Sequence, residues 1–154
     1  MLPSREYTEG KDDGVRDVIR VFLVDHSPIF IEAFAFLCRE EPGVTLVGFS
    51  EEGRNALPEI LRAKPDVVFV DAQLPSVNSL HLVRAIKEAC ATTTVIVLSL
   101  FASPELSGRA IASGASAFLV KGSFEEILAT LHRLSPEHNH GPSPHSTRDS
   151  RGKI

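Results

Sequence analysis

The stretch KPDVVFVDAQLP, residues 64–75, decides how the rest of the chain is read. Val67, Val68, Phe69 and Val70 are apolar without interruption, and the run stops at Asp71. A short run that is apolar on every residue suits a parallel strand covered on both faces. Outward from it the pattern recurs. Residues 18–24 run to Asp25, residues 94–98 to Ser99 and residues 117–120 to Lys121, while residues 44–49 form a weaker run. Amphipathic stretches of helical length separate these runs, at about 28–40, 52–63, 79–90, 103–113 and 123–134. Pro28, Pro58 and Pro104 are expected near helix starts, where a missing N–H costs little. Gly43 and Gly114 fall just past helix ends, where a left-handed residue is wanted. Ser103 and Ser123 are placed as N-caps, and Glu126 completes a capping box with Ser123.

Five repeats of strand then helix predict an α/β fold with a doubly wound parallel sheet. Right-handed crossovers bring the C-terminal ends of all its strands to one edge, where ligands of such folds bind. Asp25, Asp71, Ser99 and Lys121 therefore share that edge. A carboxylate pair holds a hard cation such as Mg²⁺ through oxygen. A carboxylate is also a nucleophile that can accept a phosphoryl group as an acyl phosphate. Such transfer depends mostly on positioning and charge neutralisation, and a cation, a lysine and a hydroxyl supply both.

From about residue 19 to 134 the chain resembles the receiver domain of bacterial response regulators, in particular those of LuxR/FixJ type. The segments that carry the resemblance are IRVFLVDHSPIF, GVTLVGFS, KPDVVFVDAQLP, TTVIVLS, GASAFLVKGS and the closing helix. The resemblance implies a flavodoxin-like (βα)5 fold with strand order 2-1-3-4-5. It implies that Asp71 is the phosphoacceptor, Asp25 part of the acidic metal pair, Ser99 the switch hydroxyl, Lys121 the conserved-type lysine and Phe118 the aromatic switch residue. The backbone carbonyl of Gln73 would be a further ligand of Mg²⁺.

Four departures qualify the resemblance. The family has two consecutive acids after the first strand, and here the second is His26. Imidazole is a poor ligand for Mg²⁺ and a better one for Mn²⁺ or another borderline metal. Alternatively, His26 points into solvent, or its imidazolium stands in for part of the cation. After Asp71, Leu74-Pro75-Ser76-Val77-Asn78-Ser79 keeps the family's proline but has serines where glycines are usual, which predicts a stiffer loop. Leu100 replaces a smaller residue after Ser99 and predicts partly obstructed access to Asp71. The last departure is architectural. No helix-turn-helix follows Leu134, so no output domain and no direct DNA binding are expected.

The bulk numbers agree. Of 154 residues 43% are hydrophobic, enough for the core of one ordinary domain. A net charge of −4 with no basic run disfavours a nucleic-acid surface. Residues 1–17 and 135–154 read as disordered polar tails flanking a receiver at 18–134. There is no signal peptide and no apolar run of the ~18 residues that span a bilayer, so the expected location is the cytoplasm. Cys38 and Cys90 read as small buried hydrophobes of a reducing compartment. His81 and His132 read as surface or boundary residues, and His138, His140 and His145 as solvated side chains of the tail. Phe30, Phe34, Phe36 and Leu37 read as a core stripe on the first helix, with a partner-binding face as the alternative.

Two functional readings follow. In the first, a stand-alone receiver takes a phosphoryl group on Asp71 from a histidine kinase or phosphotransfer protein. It then switches a face made by the fourth helix, fifth strand and fifth helix, which binds a protein target or a second copy of the chain. It is no enzyme beyond its own phosphoryl transfer and dephosphorylation. In the second, His26 and Leu100 have turned the domain into a pseudo-receiver, an interaction module independent of phosphorylation. A haloacid-dehalogenase-like phosphatase is disfavoured, because the second Asp that family needs is replaced by Ser27. Neither a dinucleotide fingerprint nor a P-loop is present.

Overall fold

The computed structural model describes residues 18–134; the two flanking segments, with His138, His140 and His145, lie outside the described residues. Strands β1 (Ile19–Val24), β2 (Val44–Ser50), β3 (Val67–Asp71), β4 (Thr94–Ser99) and β5 (Ala117–Val120) alternate with helices α1 (Pro28–Glu40), α2 (Gly53–Ala63), α3 (Ser79–Ala89), α4 (Pro104–Ala112) and α5 (Phe124–Leu134). The strands form one parallel sheet in the order β2-β1-β3-β4-β5. The strand order reverses between β1 and β3, so Asp25 and Asp71 flank the switch point.

Unbroken apolar strands build two cores at once, because successive side chains point to opposite faces. Phe22, Val24, Val68, Val70, Val95 and Val97 pack under α2, α3 and α4, with Ala56, Ile60, Val83, Ile86 and Ala110. Val21, Leu23, Val67, Phe69, Ile96 and Leu98 pack under α1 and α5, with Ile31, Phe34, Cys38, Ile127 and Leu131. At the centre of the second layer the fully buried Phe34 meets Phe69 edge-on, with ring centroids 5.1 Å apart. Burying such a ring contributes about 1.5–3 kcal/mol.

Local signals hold at several helix ends, but at the start of α5 the Glu126 N–H donates to the Ser123 carbonyl (3.1 Å) rather than to its hydroxyl, so the expected capping box is not formed. Ser27 and Ser103 cap α1 and α4 through their hydroxyls, each with proline in the first turn. Gly43 and Gly114 adopt φ of 79° and 113°. Pro58, however, lies in the second turn of α2 rather than at its start. It removes the N–H that would bond the Arg54 carbonyl, and both residues are exposed, so that carbonyl is not stranded in the core. The stripe on α1 also needs correction. Phe34 is buried and Phe30 and Leu37 are half-buried, but Phe36 is 57% exposed. Residues 30, 34 and 37 recur at helical spacing, whereas Phe36 is two residues from Phe34 and falls on the far side.

Cys38 is buried and Cys90 half-buried, and both are free thiols. Burial pushes the Cys38 thiol up to about 12. In the folded protein at pH 8, iodoacetamide should modify Cys90 and spare Cys38, with both labelled after denaturation, as read by peptide mass mapping. The folded thiol keeps its proton to higher pH than an unfolded one, near pH 8.5. Its contribution to stability is therefore intact below that pH and is lost as pH rises toward about 12. Among the described residues, no helix is long and apolar enough to cross a membrane.

Candidate functional site

The sheet brings the four predicted residues to one edge. Asp71 and Ser99 are the last residues of β3 and β4, and Asp25 and Lys121 directly follow β1 and β5. The ladder continues past both strand ends: the Asp25 N–H donates to the Ser50 carbonyl (3.1 Å) and the Lys121 N–H to the Ser99 carbonyl (2.7 Å). Residues 25, 71 and 121 keep the parity of Leu23, Phe69 and Leu119, so they meet on the α1/α5 side of the sheet. Ser99 keeps the parity of Val97 and belongs to the opposite side.

All four are buried. Lys121 Nζ lies 2.6 Å from Asp25 Oδ2 and 3.2 Å from Asp71 Oδ2, one ammonium between two carboxylates. The other oxygens are fixed by the backbone: Asp25 Oδ1 accepts the Ser27 N–H (2.8 Å), and Asp71 Oδ1 accepts the Gln73 N–H (2.9 Å). These turns, each spanning two residues, orient the carboxylates without help from distant side chains. His26 is half-exposed but does not simply point into solvent, since its Nδ1 is 2.9 Å from Asp71 Oδ2.

Asp25, His26 and Asp71 offer ligand atoms that lie within 4.8 Å of one another. Fully buried Asp25 Oδ2 meets the lysine as an ion pair but takes no well-directed hydrogen bond, which leaves lone-pair capacity facing the cluster. Two carboxylates against one ammonium also leave negative charge to be neutralised. The donor set thus fits a divalent cation, with two oxygens that suit Mg²⁺ and an imidazole that suits a borderline ion better.

The Ser99 hydroxyl accepts the Phe101 N–H (3.3 Å), and Leu100 is exposed. Phe118 is half-buried against the core on the α2–α4 side. Gln73 is exposed. The loop after Asp71 is anchored at several points. Leu74 and Ser79 are buried, with the Ser79 hydroxyl accepting the Leu74 N–H (3.3 Å), and Asn78 caps α3. Val77 packs so closely on Gly53 that a Cβ there would stand 2.2 Å from its Cγ2. The site also contains a residue that sequence reasoning assigned to the core or to a partner-binding face. The Phe30 ring lies with its centroid 4.7 Å from Lys121 Nζ. The signal was available, because the Ser27 cap starts α1 two residues after Asp25 and puts Phe30 in the first turn beside the acidic edge.

Residues 21–132 match the family described as the response regulator receiver domain. The chain belongs to the response-regulator receiver family. This receiver is 33% identical over 108 residues to a protein-glutamate methylesterase/protein-glutamine glutaminase of Syntrophus aciditrophicus, a match covering 69% of the chain and 31% of that protein. It is 28% identical over 120 residues to an uncharacterised transcriptional regulatory protein of Bacillus subtilis, covering 78% of the chain and 55% of the relative. The match therefore spans just under a third of one of these curated relatives and just over half of the other. Among solved structures, the signal receiver domain of the response regulator NarL from Mycobacterium tuberculosis superposes with a TM-score of 0.71 at 27% identity, covering 76% of this chain and 95% of that one. Receiver domains bind Mg²⁺ for phosphorylation and interact with histidine kinases or phosphotransfer proteins, so the family and the acidic cluster are consistent with phosphoryl acceptance.

Proposed function

We propose that this receiver accepts a phosphoryl group on Asp71 from a histidine kinase or phosphotransfer protein and thereby switches a protein-binding face. The observation that carries the reading is the buried pair Asp25 and Asp71 gathered around the Lys121 ammonium at the switch point of the sheet. In the proposed step an Asp71 carboxylate oxygen attacks the phosphorus of the donor. The bond from phosphorus to the donor imidazole or acetate breaks, and the electron pair leaves with that group. Lys121 offers its ammonium to the incoming phosphoryl oxygens, and Ser99, whose hydroxyl also meets the Phe101 N–H, reports the new charge to Phe118. Asp25, Asp71 and the Gln73 carbonyl would hold the divalent cation, with His26 Nδ1 as a nitrogen donor; the ion supplies charge neutralisation. The switched face comprises α4, β5 and α5, where Ala110 is the only buried residue of α4. The receiver acts in the cytoplasm as a signalling switch rather than a turnover enzyme, with a protein target or a second copy as its partner.

One observation favours the pseudo-receiver as a second reading. Asp71 Oδ2 already serves both Lys121 and His26, so the acceptor oxygen is engaged before any donor arrives. Purified protein treated with acetyl phosphate and followed by intact mass separates the two. A single phosphoryl adduct that requires a divalent cation, and forms faster with Mn²⁺ than with Mg²⁺, is expected. His26→Asp should tighten Mg²⁺ by about tenfold or more in calorimetric titration, since it adds a carboxylate beside the ion. An adduct formed by neither wild type nor His26→Asp in either metal would leave the pseudo-receiver standing.

A further inference from the structure

A lysine ammonium carries three N–H donors on a flexible four-carbon stem, and holding it in one place is costly in conformational freedom. Two carboxylates draw the Lys121 ammonium inward, at 2.6 and 3.2 Å. Its other flank meets the face of Phe30, with the ring centroid 4.7 Å from Nζ, inside the range where the negative ring face attracts a cation. That ring is itself held. It stacks on Phe124 at 6.3 Å and 14°, and rests at 6.0 Å against Phe34, which is fully buried and edge-on to Phe69. The Phe30 backbone is tied by the Ser27 hydroxyl, which accepts its N–H at 3.3 Å. The parity of the strands puts Asp25, Asp71 and Lys121 on the side of the sheet that α1 and α5 cover, so the ring meets the ammonium by construction of the fold.

We propose that Phe30 is a positioning residue for Lys121, an aromatic wall that keeps the ammonium aimed at the Asp25–Asp71 pair. The proposal rests on phosphoryl acceptance by Asp71 and deepens it. The ring closes the direction in which the stem would swing away and excludes water from that flank. Both effects strengthen a preorganised charge where negative charge develops. Phe30 touches neither donor nor phosphoryl group and acts through Lys121 alone.

Phe30→Leu keeps an apolar side chain at a half-buried position, and Phe30→Tyr keeps the ring face. Thermal unfolding of both confirms that they fold. At saturating acetyl phosphate the rate of adduct formation should fall about three- to tenfold in Phe30→Leu with little change in half-saturating donor, and return in Phe30→Tyr. The second readout needs no phosphorylation. In ¹H–¹³C correlation spectra the Lys121 ε-methylene protons, shielded by the ring, should shift downfield in Phe30→Leu and stay in place in Phe30→Tyr. An unmoved ε-methylene in Phe30→Leu, or a slow rate that Tyr does not rescue, overturns the positioning role. If wild type takes no phosphoryl group, the function reading fails and the methylene shift alone decides whether Phe30 holds Lys121.

Discussion

Asp71→Asn is expected to carry no phosphoryl adduct under conditions that load wild type, as read by intact mass. An amide oxygen is a weak nucleophile, and a neutral Asn also removes one of the anionic oxygens that hold the cation. No nearby group replaces it. Asp25 is fully buried and engaged by Lys121 through one oxygen and by the Ser27 N–H through the other. His26 is exposed enough to meet a donor, so a residual adduct on Asp71→Asn that maps to His26 would refute Asp71 as the sole acceptor. The loss is not expected to reflect unfolding. Two buried carboxylates compete for one ammonium in wild type, and neutralising one of them relieves that competition. The melting temperature should hold or rise slightly, which separates loss of the acceptor from loss of the fold.

Lys121→Ala should act in the opposite sense on stability. The lysine is buried and supplies the only ammonium that the described residues place between Asp25 and Asp71. Removing it leaves two buried carboxylates with no counter-charge, and breaking a buried pair in this way costs about 3–5 kcal/mol. Denaturant unfolding should report a loss of that order without a large change in slope. Much of that cost is the charge left behind rather than the worth of the pair. Lys121→Ala combined with Asp25→Asn should therefore be more stable than the sum of the two single changes predicts. Mn²⁺, placed among the same oxygens, should restore part of the stability lost in Lys121→Ala. A Lys121→Ala protein as stable as wild type in metal-free buffer would show that the ammonium is not held as the distances imply.

The strand runs and their terminators were legible because they rest on local and chiral rules. An unbroken apolar run such as residues 67–70 needs cover on both faces, and the right-handed crossover sends every strand end to the same edge. Asp25, Asp71, Ser99 and Lys121 could thus be grouped before any coordinate was known, and the observed order β2-β1-β3-β4-β5 matches the one that the resemblance implied. Pro58 misled for a local reason as well. Proline marks helix starts only as a tendency, and an exposed second turn tolerates the missing bond.

What the sequence determined by itself is therefore the sheet, its edge and the identity of the residues on that edge, since apolar continuity and backbone chirality decide these residue by residue. Only the tertiary structure decided which side chains meet. His26 could have faced solvent, yet its Nδ1 lies against Asp71 Oδ2; Phe30 could have been core alone, yet its ring lies beside the Lys121 ammonium. Phe36, with the same composition and nearly the same position as its neighbours, is exposed. These outcomes depend on how α1 is rotated and seated over the sheet. Helical spacing records that Phe36 lies away from residues 30, 34 and 37, but the contacts of His26 and Phe30 are set by the joint packing of Phe34, Phe69, Phe124 and the other side chains of the layer.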